Sequence, residues 1–175
     1  KSAKGGFPGS FWETYSSFAN TQGGQIFLGI KETQQGLKVD GLDKTAIEKY
    51  KKDLWDNLNN RNKVSANILS QNDIKEIETP EGIVLGINVP RADLRVRPVY
   101  INGNPNKVYK REHEGDYECR EDEVRRMNAE SCIMEFPMDS RILEGFSFER
   151  DIDMDSLRKY RQIFTNRQPA HAWSS

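Results

Sequence analysis

No stretch of this 175-residue chain approaches the roughly 20 consecutive apolar residues that a membrane-crossing helix needs. Cysteine is scarce. Cys119 and Cys132 form no C-x-x-C pair, which leaves too few sulfur ligands for a structural zinc site and fits the reduced thiols of a cytoplasmic protein. Histidine is equally sparse, at His113 and His171, and no Ser or Cys stands in a nucleophile motif, so triad hydrolase chemistry has no support. A phosphate-binding P-loop is also missing, because neither Gly5-Gly6-Phe7-Pro8-Gly9-Ser10 nor Gly23-Gly24 is followed by Lys-Ser or Lys-Thr. No cofactor is expected. Lys1 to Ser10 lacks the apolar core of a secretion signal, and a chain starting at Lys reads as part of a longer cytoplasmic protein with no membrane contact.

What is present suits a wet-surfaced globular domain. Hydrophobic residues make up 35% and charged residues 30%, enough for one core plus a short extension. The net charge of −1 conceals a segregation. Arg91, Arg95, Arg97, Lys107, Lys110 and Arg111 face only Asp93 within residues 91–111, and acids dominate from Glu112 to Asp155.

The pattern of apolar residues predicts the elements. Phe11, Trp12, Tyr15, Phe18 and Ala19 recur at helical spacing, with Ser10 and Glu13 as a capping box, and Asn20 and Gly23-Gly24 end that helix. Residues 25–31 read as one buried strand, with a turn at 34–36 and a returning strand at 37–41. Asp43 caps a second helix whose inner face is Ile47, Tyr50, Leu54, Trp55 and Leu58, while 64–69 has no clear pattern. Residues 73–79 and 83–89 read as a hairpin around Pro80-Glu81-Gly82. Residues 98–101 and 107–112 read as strands flanking a turn, followed by a helix at 121–129. A linker with Phe136-Pro137 comes next, then a last helix capped by Asp155. The predicted class is α+β: a mixed or antiparallel sheet with hairpins, two to three flanking helices and a C-terminal helical extension. The expected division is a domain at 1–130, then a linker and helix at 131–175 leading into a further C-terminal region.

Three sites compete on the residues alone. Asn20, Thr21, Gly23 and Gly24 either offer backbone N–H groups to an anion or simply make a tight packing turn. The basic segment, with Lys107, Tyr109 and Arg111 on one strand face and Lys110 on the other, is either a surface for a sugar-phosphate backbone or a solvated loop. The carboxylates Glu32, Glu112, Glu114, Asp116 and Glu118 lack the spacing of a defined ligand set for magnesium. His113, between two acids, reads as an exposed ion-paired ring.

Phe18-Ala19-Asn20-Thr21-Gln22-Gly23-Gly24 followed by Ile26-Phe27-Leu28-Gly29-Ile30 resembles the core signature of the Schlafen/AlbA-like DNA-binding domain family, formerly labelled divergent AAA. Val39-Asp40-Gly41-Leu42, Val89-Pro90-Arg91-Ala92, Arg97-Pro98-Val99-Tyr100-Ile101, Tyr109-Lys110-Arg111 and Glu114-Gly115-Asp116-Tyr117 are similar to later family segments, in order, over about residues 1–130. The resemblance implies a DNA-binding or RNA-binding domain of a bacterial transcriptional regulator, with Arg91, Arg95, Arg97, Lys107, Tyr109, Lys110 and Arg111 on the phosphates; a homodimer is the other partner considered. Animal members include RNA endonucleases. Their second carboxylate group maps to Lys31-Glu32, where lysine occupies a position that is often acidic, leaving Glu32 as the metal-site candidate of an alternative, metal-dependent ribonuclease reading. A third reading is a dimerisation or protein-interaction module.

Overall fold

The computed structural model describes residues 7–135, 145–168 and 171, and the chain divides into two compact units, Lys1–Phe136 and Pro137–Ser175. The first unit is α+β. Helix α1 (Phe11–Asn20) runs into strand β1 (Gly24–Leu28), and a separate hairpin of β2 (Ile30–Thr33) and β3 (Gly36–Val39) follows. Helix α2 (Lys44–Leu58) precedes the hairpin of β4 (Ile74–Thr79) and β5 (Gly82–Val89). Strands β6 (Tyr109–Glu112) and β7 (Gly115–Glu118) and helix α3 (Glu121–Glu135) complete the unit. All pairings are antiparallel, and the three-stranded sheet has the order β1-β5-β4.

Side-chain alternation decides which sheet face is covered. Ile83, Leu85, Ile87 and Val89 of β5 point inward, the last three in register with Leu28, Ile26 and Gly24 of β1 and Ile83 bridged to Leu42. They join one core with Phe11, Tyr15 and Ala19 of α1 and Ile47, Tyr50, Leu54 and Leu58 of α2. The inner face expected for α2 is therefore present, with Trp55 at its half-buried margin. Asp43 caps α2, its carboxylate accepting from the Ala46 N–H at 2.7 Å. A smaller cluster of Val108, Cys119 and Val124, with Tyr100 and Met127 against it, seats α3.

Four expectations are corrected. Ser10 does not cap α1: its backbone is already helical (φ −70°, ψ 0°), and the Phe11 N–H donates instead to Pro8 O at 3.0 Å. Residues 25–31 are not one strand. Gly29 takes φ +95°, which turns the chain out of β1 and into the β2–β3 hairpin. Residues 98–101 are not a strand: Tyr100 and Ile101 make isolated bridges to Val108 and Val64, and the strand expected at 107–112 is β6, Tyr109–Glu112, paired with β7.

The fourth correction lies in the second unit, described over short α4 (Phe148–Asp151) and α5 (Met154–Arg167). The cap of α5 is Asp153 rather than Asp155. Its carboxylate accepts from Asp155 N–H at 3.1 Å and Ser156 O–H at 2.6 Å, while Asp155 pairs with Arg158 at 3.0 Å. The Phe136-Pro137 linker lies outside the described residues. Among the described residues no helix is long and apolar enough to cross a membrane.

Burial pushes the Cys119 thiol up to about 11, whereas Cys132 is exposed. Iodoacetamide at neutral pH is expected to alkylate Cys132 and leave Cys119 intact until the chain is unfolded in urea, as read by peptide mass mapping. The raised thiol stabilises the fold in its protonated form. That contribution is complete below the ordinary value of 9.0 and is lost as pH climbs toward about 11. Equal native labelling of both thiols would show that the small cluster is open.

Candidate functional site

The last turn of α1 carries a buried polar clamp. Asn20 is 5% exposed; its side-chain oxygen accepts from Val99 N–H at 2.8 Å, and its amide nitrogen donates to Val99 O at 2.9 Å and Tyr109 O at 3.1 Å. One turn before it, the Ser16 hydroxyl donates to Val99 O at 2.7 Å and accepts from Tyr109 N–H at 3.0 Å. The Thr21 hydroxyl donates to Ser17 O at 2.8 Å and accepts from Arg111 N–H at 3.0 Å. These side chains substitute for a sheet partner, holding segment 98–101 and β6 onto the helix.

The paired glycines serve packing. At Gly23 (φ +78°) a Cβ would stand 2.8 Å from Val89 O, and at Gly24 a Cβ would stand 2.7 Å from the Phe18 ring. The N–H groups of Thr21 and Gly23 both donate to Phe18 O, at 3.2 and 2.9 Å, so they are committed to the turn.

The basic segment separates into two sets. Lys107 meets Glu118 at 2.8 Å, and Lys110 sits between Glu112 and Glu123 at 2.7 Å from each. Arg111 meets Asp116 at 2.9 Å and lies 5.5 Å over the Phe18 ring, and Asp116 also accepts the Thr14 hydroxyl proton at 2.5 Å. The hydrogen bond to Glu118 raises the Lys107 ammonium above its usual value, and the bonds to Glu112 and Glu123 do the same for Lys110; Lys110 in turn holds the Glu123 carboxyl below the usual carboxylate range. Tyr109 is half-buried, with its phenol raised chiefly by burial.

The second set makes no ion pair among the described residues, although the carboxylates of Glu130 and Asp93 act on Arg97 from a distance. Arg97 is 9% exposed, its guanidinium lowered first by burial and then by neighbouring Arg91, and its Nε has no hydrogen-bond partner among the described residues. Arg91 and Arg95 are exposed and carry no ion pair among the described residues.

Arg95 borders a recess of about 580 Å³ between residues 58–68 and 95–100. Arg61 enters the same recess from the irregular segment after α2, and Asn59, Ser65, Asn67 and Tyr100 complete its polar lining. Among the described residues no Asp or Glu lines it. Arg61, like Arg95, carries no ion pair among the described residues. The walls are fixed from below. The buried Tyr15 hydroxyl, raised to about 12 by desolvation, donates to Ala66 O and accepts from Ile68 N–H, each at 3.0 Å. Ser65 N–H donates to Tyr100 O, and the Ser65 hydroxyl accepts from Tyr100 N–H, each at 3.0 Å. The Ser131 hydroxyl of α3 donates to Arg95 O at 3.2 Å.

Sequence reasoning missed Arg61, Ser65 and Asn67. They lie in a stretch without periodicity, and the one available signal was the polar run Asn59-Asn60-Arg61-Asn62-Lys63. Glu32 is exposed on β2 opposite Leu37, and among the described residues no three His, Cys, Asp or Glu side chains gather to hold a metal ion. His113 sits exposed at the β6–β7 turn with φ +51°.

A family model described as Schlafen, AlbA_2 matches residues 1–120, and one described as a domain of unknown function (DUF8451) matches residues 125–175. Among solved structures, the chain is similar to the N-terminal domain of a RecG-related protein from Nitrosomonas europaea, determined by solution NMR. The identity is 22%, the match covers 68% of this chain and 80% of that one, and the TM-score is 0.49. No curated protein matches the chain.

Asn20→Ala leaves the Val99 N–H and the Tyr109 carbonyl without a partner, while Val99 O keeps the Ser16 hydroxyl, and its expected cost is about 2–4 kcal/mol of stability, since each unsatisfied buried group costs roughly 1–3 kcal/mol and relaxation recovers part. Urea unfolding measures it; a loss below about 1 kcal/mol would show that water replaces the amide.

Proposed function

The chain belongs to the Schlafen, AlbA_2 family, and from that premise we propose that its first unit is a nucleic-acid-binding domain that grips the phosphate backbone in the recess of Arg61 and Arg95. The observation that carries this reading is that Arg61 and Arg95 border a recess lined by no carboxylate among the described residues. Affinity for a polyanion comes largely from cations that displace condensed counterions. A lysine already held by glutamate must give up that partner before it gains a phosphate, so Lys107, Lys110 and Arg111 contribute less per contact than Arg61 and Arg95. Exposed Arg91 and the cation of Arg97 beside it add to the positive potential.

The neutral groups suit the same task. Asn59, Ser65 and Asn67 offer donors and acceptors of the kind that phosphate and sugar oxygens use, and the half-buried Tyr100 offers an aromatic surface. Contacts of this type fix register without reading base edges, so the binding is sequence-tolerant. The finer form of the proposal is a DNA-binding domain of a cytoplasmic bacterial transcriptional regulator, which rests on family resemblance.

The test is fluorescence anisotropy of labelled single-stranded and duplex oligonucleotides over a salt series. Arg61→Glu and Arg95→Glu are each expected to weaken binding tenfold or more and to reduce the slope of log affinity against log salt by about 1, whereas Lys107→Glu changes affinity only about twofold. Unchanged affinity and slope in the two arginine variants would remove the recess from the contact surface.

A further inference from the structure

A second recess, about 560 Å³, lies where α1, β1, the β2–β3 hairpin and the β6–β7 hairpin come together. It shares no lining residue with the Arg61–Arg95 recess. Its character is different. Phe18, Phe27, Ile30 and Leu37 give it an apolar floor, and Leu37 is left 79% exposed on the hairpin. An aliphatic side chain that bare, joined to two phenylalanine rings, marks a surface that gains by being covered.

The charges at this recess select what covers it. Arg111 is cancelled by Asp116, which is also tied to Thr14. The remaining carboxylate of the lining is Glu114, exposed and without an ion pair among the described residues. Glu32 pairs with Leu37 across the hairpin and so shares its face, and it too has no ion pair among the described residues. Lys31 and Lys38 oppose each other on the other face of that hairpin. The uncompensated charge beside the apolar floor is therefore negative.

We propose that this groove binds a segment of a partner protein that presents a bulky apolar side chain flanked by lysine or arginine. Phosphates are repelled by Glu32 and Glu114. A second copy of the chain meeting this face about a two-fold axis would bring the same uncompensated carboxylates from both sides and, with Arg111 held by Asp116, no free cation of this lining to pair with them. A basic segment pairs with both carboxylates while its apolar residue covers Leu37 and the phenylalanine edges.

The experiment uses the full chain and three labelled peptides in fluorescence polarisation. One has a Leu-Trp core flanked by Lys-Arg pairs, one has the same core flanked by Glu pairs, and one keeps the Lys-Arg flanks around Ser-Gly. The first is expected to bind saturably and at least tenfold tighter than the other two. Leu37→Asp and Glu114→Lys, both at exposed positions, are each expected to weaken it about tenfold, while Arg61→Glu leaves it unchanged. That last variant separates this proposal from the nucleic-acid reading. Absence of saturable binding, equal binding of the Ser-Gly peptide, or indifference to both variants overturns the proposal. So does a dimer in sedimentation that Leu37→Asp dissociates, since a second copy would then be the occupant. Oligonucleotide binding weakened by Leu37→Asp also overturns it, assigning the groove to nucleic acid.

Discussion

The carboxamide of Asn20 supplies hydrogen bonds to backbone groups that no neighbouring strand reaches. Segment 98–101 and strand β6 lie outside the three-stranded sheet, and their N–H and C=O groups would otherwise be buried without partners. Asn20 suits the position because one side chain both accepts and donates, which neither a carboxylate nor an aliphatic group of similar size does at neutral pH. Ser16 and Thr21 repeat the device one turn before and one residue after. The placement of Tyr100 and Arg111, and with them one boundary of each recess, follows from this helix end.

The same arrangement divides the cations by role. On β6 and the residues leading into it, Lys107, Lys110 and Arg111 meet carboxylates of β6, β7 and α3, and these pairs help fasten hairpin and helix. The exposed Lys107–Glu118 pair adds little stability by itself, the pairs of Lys110 with Glu123 and Arg111 with Asp116 are part-buried, and all of them lower the free positive charge on that face. Arg95, on an irregular segment with Arg61 across the recess, has no such partner among the described residues. A near-neutral chain thus keeps an unneutralised site beside a neutralised one, which net charge does not reveal.

Helix α2 was legible in the sequence because its inner residues keep helical spacing and Asp43 stands at its start; both survive in the structure. The β4–β5 hairpin was legible from its turn residues for the same local reason. Strand 25–31 was misread because Gly29 is identical in sequence whether it continues a strand or turns out of it, and the Leu42–Ile83 bridge beside it is non-local. Residues 98–101 read as a strand because their β-branched and aromatic residues fit one, whereas the segment makes only isolated bridges and the Val99 backbone groups go to Asn20 and Ser16, which local pattern does not show. Arg95 was visible as a basic residue, but its meeting with Arg61 across 34 positions depends on Tyr15 and Ser65 fixing the segment between them. Asn20 and Thr21 were visible as a motif, although their use as a clamp needed the positions of Val99, Tyr109 and Arg111.

The carboxylate of Glu123 that restrains Lys110 also makes the surface responsive to acidity. Lys110 holds that carboxyl below its ordinary range, so the pair persists as pH falls toward that range. Protonation of Glu123 below it frees that side of the Lys110 ammonium to solvent. The domain consequently grows more cationic through unmasking as well as through simple titration, and the unmasked charge appears on the β6–β7 side rather than at Arg61 and Arg95. An affinity for polyanions measured in acidic buffer therefore reports a broader footprint than the one available near neutrality.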